Sequence, residues 1–231
     1  MDIEVIAFDV FGTLVDWRSS ITQAFARVGG AAGLSADWPA AADAWRSRYY
    51  PAMARVLSGE RAFQPLDVLH AEMLDEVAAE FGLEALDAAA RGELVRAWHQ
   101  LTPWSDAVPG LTELRERHIL TPLSNGGVGL LTRLAKAAGL PFDCILSAEL
   151  ARTYKPDPLV YGLPAGYFDV PADRVLVVAC HPADLEGAQR AGLRTAFIPR
   201  ALEWGPGGSA PPPPDQVDLA ADDLTALAAL L

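Results

Sequence analysis

From residue 100 to the end, short β-rich runs alternate with helical stretches, and this alternation restricts the chain to a sheet whose strands are joined by helices. The runs are "HILTPLSN", "DCILSAE", "RVLVVAC" and "RTAFIPR", with a further one, "IEVIAFDV", at the start of the chain. Strands of this apolar character belong to a parallel sheet covered on both faces, because a parallel connection needs a crossover and the usual crossover is a helix. Residues 16–99 hold no such run. They are rich in Ala, Leu, Glu and Arg at helical spacing, with breaks at "GGAAGLSADWP", "RAFQP" and "EFGLEAL", which predicts three or four helices inserted after the first strand. The expected fold is α/β: a doubly wound parallel sheet, Rossmann-like, from residues 1–15 and 100–231, with an inserted helical cap domain from residues 16–99. The proline-rich "GPGGSAPPPPD", residues 205–215, fits neither a helix nor a central strand and reads as a surface crossing.

Composition narrows the function classes. With 231 residues, 51% of them hydrophobic, the chain has enough apolar surface for a sizeable core. A net charge of -12 and a pI near 4.7 argue against nucleic acid and anionic membrane surfaces as partners, since both select basic patches. No apolar stretch approaches the ~20 residues of a membrane span, and no basic segment precedes the first strand, so a cytoplasmic protein is expected. The two cysteines, Cys144 and Cys180, lie in apolar strand-like runs, the setting of reduced core thiols.

Ligands of open α/β sheets bind beyond the carboxyl ends of the strands, and four of these strands deliver polar groups there. The first ends in Asp9 with Thr13 just beyond, and the second in Ser124, Asn125, Gly126 and Gly127. The third is followed by Lys155-Pro156, and the fourth runs into His181 and Asp184. Any one of these is explained as a cap, a turn or a corner. Four converging on one edge make a site the better account. Asp9 needs such an account most, because a carboxylate ending a buried strand costs several kcal/mol unless it is paired.

The order and spacing of these residues resemble the haloacid dehalogenase superfamily over nearly the whole chain. "FDVFGTLVD" is similar to its first motif with the nucleophilic Asp, "LSNG" to the second, "YKPDPLVY" to the third and "VVACHPADLEGAQRAGLRTAFIPR" to the fourth. The phosphatase majority of that superfamily carries a second Asp two places after the nucleophile and an acidic pair in the fourth motif that holds Mg²⁺. Here Phe11 takes the first place, and the fourth motif reads Ala179-Cys180-His181-Pro182-Ala183-Asp184. Asp9 and Asp184 alone are a thin set of hard oxygen ligands, so neither a metal nor another cofactor is expected.

What remains resembles the metal-independent 2-haloacid dehalogenase branch, with a sub-branch active on fluoroacetate nearest to the combination of "FDVFGTLVDW" and "CHPADL". The resemblance implies that Asp9 attacks the halogen-bearing carbon of a short (S)-2-haloacid, and that water then frees the (R)-2-hydroxy acid from the aspartyl ester. It makes Lys155 the cation paired with Asp9, and Arg46 the cap arginine that meets the substrate, with Arg18 and Arg48 as neighbouring alternatives. Ser124 and the backbone N–H groups of Asn125 and Gly126 would hold the carboxylate, Thr13 would bond the nucleophile, and Tyr161 would stand near it. Phe11, Trp17, Trp45 and Tyr49 would form an apolar pocket. An Asn is common in the family where His181 stands. An imidazole with the ordinary pKa near 6.5 suits a base for ester hydrolysis, so His181 is the expected base, with Asp184 orienting it or activating water itself. His70, His99 and His118 fall on helical stretches or helix ends and read as structural. Partners reduce to a small-molecule haloacid, with a homodimer left open. Three alternatives stand beside this reading: a Mg²⁺-dependent phosphatase of the same fold, a hydrolase opening a strained cyclic amino acid, and a non-catalytic binder of small anions.

Overall fold

A computed structural model describes all residues, 1–231. The chain opens with β1 (Val5–Phe8) and β2 (Val15–Asp16), then α1 (Trp17–Ala31), α2 (Trp38–Ser47), α3 (Tyr49–Leu57), α4 (Leu66–Phe81) and α5 (Ala88–Ala97). β3 (Thr102–Pro103), α6 (Ala107–Leu114), β4 (Ile119–Ser124), α7 (Val128–Ala138), β5 (Leu146–Ser147), α8 (Ala148–Ala151) and α9 (Pro158–Phe168) follow. The last elements are β6 (Val175–Ala179), α10 (Pro182–Arg190), β7 (Arg194–Phe197), β8 (Leu219–Ala220) and α11 (Leu224–Leu230).

Six strands form one parallel sheet in the order β5-β4-β1-β6-β7-β8. Counted along the sheet strands alone, the chain starts in the middle, winds outward one way through β4 and β5, then returns to β6 and winds the other way. β1 therefore has a neighbour of each half on either side, and its carboxyl end is the topological switch point where such sheets hold ligands. All four residues of β1 are buried, as are all five of β6, which is what helices on both faces require. Asp16, Asp37, Asp87, Asp157 and Asp223 each accept a backbone N–H at a helix start, so short polar residues between apolar stretches set where those helices begin.

The inserted segment holds five helices, not three or four. The additional boundary is at Arg48, between α2 and α3, where Pro51 in the first turn of α3 has no N–H to give and crowds the preceding carbonyl. The Gly29-Gly30 pair, expected to break a helix, lies inside α1, which ends only at Ala31. α1 packs on α2 and α5, and α4 packs on α2, α3 and α5. The segment leaves and rejoins the rest of the chain through the short antiparallel pair β2–β3, so its ends lie side by side. Two further differences concern strands. β5 is only two residues long: α8 starts at once at Ala148, with Ser147 as its cap, and ahead of the strand the Asp143 side chain bonds the Leu120 N–H. β8, a two-residue edge strand beyond the proline-rich stretch, carries no β-branched run to announce it. Residues 205–215 form neither helix nor strand, as expected. No helix is long and apolar enough to cross a membrane.

Candidate active site

The backbone stays in the sheet through Asp9, whose N–H bonds Val178 O at 3.0 Å, and then turns sharply at Gly12, where φ is +90°. A side chain at Gly12 is excluded twice: by that φ, and because a Cβ there would lie 2.3 Å from Glu203 Oε1. The turn brings Thr13 back over the strand end. Its hydroxyl donates to Asp9 Oδ2 at 2.8 Å and accepts the Cys180 N–H at 3.0 Å. Lys155, at the end of the segment before α9, is positioned through its backbone N–H, which donates to Asn125 Oδ1 at 2.7 Å. Its ammonium reaches Asp9 Oδ1 at 3.2 Å and Asp184 Oδ2 at 2.6 Å. The Tyr161 hydroxyl, from α9, donates to Asp184 Oδ1 at 2.7 Å. That approach depends on Gly187 in α10, where a Cβ would lie 2.4 Å from the Tyr161 oxygen.

Burial on its own would raise the Asp9 carboxyl, but the Lys155 charge and the bonds from His181 and Thr13 outweigh it and hold Asp9 well below the usual carboxylate range. It is an anion at neutral pH. Burial would likewise lower Lys155, yet the charges of Asp184 and Asp9 raise it above an ordinary ammonium. Asp184 goes the other way, raised by burial that Lys155 offsets only in part, with the Asp9 charge adding to the rise.

The structure changes the expected partner of His181 and sets its resting charge. Its Nδ1 lies 3.0 Å from Asp9 Oδ2, and its Nε2 lies 3.0 and 3.1 Å from the two oxygens of Glu203. Both nitrogens face carboxylates, so although burial favours the neutral ring, these bonds raise its pKa well above 6.5. The ring is an imidazolium in the resting protein, not a free base poised near neutrality. Nor does Asp184 orient it: Asp184 is engaged with Lys155 and Tyr161, and Glu203 takes that place. Glu203 is 3% exposed and is held by the Trp17 indole N–H at 3.1 Å. Glu203 lies beyond the four strand ends that carry the expected site residues and was not among them. The available signal was one acidic residue among apolar neighbours in "ALEW", just past the next strand on the same edge.

A cavity of about 290 Å³ lies between this strand edge and the inserted helices. Asp9, Phe11, Asn125, Lys155, Tyr161, His181 and Asp184 line it from one side, and Arg46, Tyr49 and Tyr50 from the helices α2 and α3. Arg46 is 5% exposed, its guanidinium lies 4.2 Å from the Tyr49 ring centre, and its Nη1 has no hydrogen-bond partner. Arg18 is paired with Asp43, and Arg48 with Glu76 and Glu80, so that of the three only Arg46 has no carboxylate partner. Thr13 and Ser124 are fully buried and do not line the cavity; the Ser124 hydroxyl accepts the Gly126 N–H at 3.3 Å. Trp17 and Trp45 stand behind the wall, Trp17 stacked on Trp98 and Trp45 meeting it edge to face, whereas Phe11 and Tyr49 are part of the wall.

Neither candidate donor set fits a metal. All four oxygens of Asp9 and Asp184 accept from Lys155, Thr13, His181 or Tyr161, so Mg²⁺ would have to displace an ammonium. The donor atoms of Cys180, His181 and Glu203 lie within 4.8 Å of one another, but both ring nitrogens are spent on carboxylates.

The profile of the haloacid dehalogenase-like hydrolases matches residues 3–192. A curated relative, (S)-2-haloacid dehalogenase 1 of Pseudomonas sp. (strain CBS-3), is 32% identical over 86% of this chain and 85% of its own. The crystal structure of a defluorinating L-2-haloacid dehalogenase superposes with a TM-score of 0.96 at 45% identity, covering 99% of this chain and 95% of that one. An L-2-haloacid dehalogenase from Xanthobacter autotrophicus, solved with chloropropionic acid covalently bound, superposes at 0.83 with 26% identity, covering 99% and 98%. The profile spans most of the chain and the structural match is near-complete, and the chain, with its ionised aspartate at the switch point under a helical insertion, belongs to the haloacid dehalogenase-like hydrolases.

Proposed function

We propose that the protein is a 2-haloacid dehalogenase, hydrolysing short (S)-2-haloalkanoic acids to (R)-2-hydroxy acids and halide through an ester on Asp9. One observation carries the reading: an ionised, buried carboxylate and an unpartnered guanidinium share one small cavity. A 2-haloacid offers both what they need, an electrophilic carbon for Asp9 and an anionic or halide end for Arg46. Asp9 displaces the halide at C2 with inversion, water attacks the Asp9 carbonyl, and the hydroxy acid leaves. Lys155 keeps Asp9 charged and offsets the approach of a second anion, while Asn125 and Tyr161 border the substrate. Residues 16–99 serve as the cap, contributing Arg46, Tyr49 and Tyr50 and excluding water from the displacement. Phe11, in the place of the phosphatases' second Asp, leaves no acid and base for phosphoryl transfer, and Lys155, held between Asp9 and Asp184, supplies the positive charge in place of a metal. The free cysteines suit a cytoplasmic enzyme.

The test is halide release from chloroacetate, both 2-chloropropionates and fluoroacetate, beside phosphate release from p-nitrophenyl phosphate, each with and without EDTA. The expected result is chloride from chloroacetate and, of the two 2-chloropropionates, from the (S) form only, unaffected by EDTA. EDTA-sensitive phosphate release without halide would replace this reading by the phosphatase.

A further inference from the structure

We propose that Glu203 and His181 form a dyad that activates the water of ester hydrolysis, and that alkylation of Asp9 switches the dyad on. The inference rests on the dehalogenase reading above. In the resting protein His181 cannot take a proton. Its two nitrogens lie 3.0 Å from Asp9 and 3.0 Å from Glu203, and two contacts with carboxylates that only accept require a proton on each nitrogen. The charged and titratable groups around the ring are Asp9 from the end of β1, Glu203 from the turn after β7, and Cys180 beside it in the chain. Lys155 and Asp184 stand on the other side of Asp9, and Arg46 from α2 acts on both Asp9 and Glu203. Asp9 is the group among these whose charge the displacement removes.

Glu203 is built into its position. It is almost fully buried and does not line the cavity; it accepts from the Trp17 indole, and it fills the space that Gly12 leaves open. It is a positioning residue, acting through His181 as a buried carboxylate acts through the imidazole of a hydrolase triad.

The steps balance. Displacement forms the bond from an Asp9 oxygen to C2, and the halide leaves with the electron pair of the broken carbon–halogen bond. Asp9 is then a neutral ester, and His181, left with one anionic neighbour, releases its Nδ1 proton to solvent. The Nε2 proton stays on the ring, donated to the Glu203 carboxylate, so the free lone pair is at Nδ1, beside the ester. Water adds to Cγ of Asp9 and passes one proton to Nδ1. The bond from Cγ to the alkoxy oxygen breaks, the alkoxide takes the second proton of water, and Asp9 returns as a carboxylate facing an imidazolium. One proton reaches solvent per turnover, as hydrolysis of a carbon–halogen bond requires.

Glu203→Gln tests the dyad, since an amide N–H donating to Nε2 forces the proton onto Nδ1 and removes the lone pair next to the ester. With chloroacetate as probe, rapid-quench assays should show a burst of one chloride per site in this variant, followed by turnover slowed on the order of 10²–10⁴-fold. Intact-mass analysis should find one carboxymethyl group held on Asp9 in the variant and none in wild type. Glu203→Asp, which keeps the charge, should recover part of the turnover. In single-turnover assays the wild-type hydrolysis step should rise with pH to a plateau, and this limb should vanish in Glu203→Gln. His181→Gln, which keeps a donor toward Asp9 but offers no base, carries the same expectation of burst and stall should the Glu203→Gln variant fail to fold. Turnover by both variants without ester accumulation would overturn the dyad and leave water activation to Asp184. A wild-type hydrolysis step that slows as pH rises would also overturn it, making the imidazolium a donor to the oxyanion. Wild-type protein releasing no halide from chloroacetate or 2-chloropropionate would sink the dehalogenase reading and the dyad together.

Discussion

Two side chains illustrate how far a residue's role depends on what faces it. Asp9 is surrounded by three donors that stabilise its charge, so removing the charge should remove the chemistry and leave the scaffold standing. Asp9→Asn is expected to release no measurable halide from chloroacetate while its circular dichroism matches wild type; halide at the wild-type rate would remove Asp9 from the reaction. Arg46 is the converse case. Its guanidinium is buried with one nitrogen unpartnered, an arrangement that lowers stability and makes sense only if an anion visits. Arg46→Leu should therefore melt no lower than wild type, yet lose about 10- to 100-fold in kcat/KM, the equivalent of a lost charge-assisted contact of ~1.5–3 kcal/mol. A large fall in melting temperature would show instead that Arg46 is structural.

At the scale of the elements, α4 contains a polar group that the site does not use. His70 is buried against Trp98, ring centres 4.4 Å apart, and neither of its nitrogens has a partner. The expectation that it is structural agrees with this position, away from the cavity lining. Burial lowers its pKa from 6.5 to about 3. The unfolded chain then binds a proton below pH 6.5 that the folded chain refuses until about pH 3, so the stability His70 contributes is present above 6.5 and drains away as the pH falls toward 3. Between pH 7 and pH 5 the loss from this group is about 2 kcal/mol. His70→Phe, which keeps the ring stack and drops both nitrogens, should be more stable than wild type, with the advantage about 2 kcal/mol larger at pH 5 than at pH 7 in urea titrations. An advantage independent of pH would mean that His70 finds a partner in solution.

The whole molecule sets a negative field against a locally positive site. Its net charge is -12, yet Arg46, Lys155, His181 and Arg190 outnumber the carboxylates Asp9, Asp184 and Glu186 along the cavity that would receive an anion. Salt screens the distant charges far more than the contacts inside the cavity, as the Debye length falls from about 30 Å at 0.01 M to about 8 Å at 0.15 M. The kcat/KM for chloroacetate should therefore rise, by less than about threefold, as salt is added over that range; a steep fall would show that cations beyond the cavity steer the substrate. The same division between local and global separates what was legible in the sequence from what was not. The parallel sheet, the helical insertion and the convergence of Asp9, Lys155, His181 and Asp184 at one edge follow from apolar runs, breakers and strand ends, because secondary structure answers to neighbours a few residues away. The fifth inserted helix escaped because a single proline in a first turn, Pro51, gives a weaker signal than a run of breakers. Glu203 escaped because nothing near it in the chain marks it, and its value lies in meeting a ring 22 residues away that in turn meets Asp9, 172 residues from that ring. The sequence by itself determined that Asp9, Lys155, His181 and Asp184 meet at one sheet edge, because each follows on an apolar strand. Only the tertiary structure decided that Arg46 and not Arg18 or Arg48 is free, and that His181 is charged, since pairing and protonation depend on the distances and burial that packing alone creates.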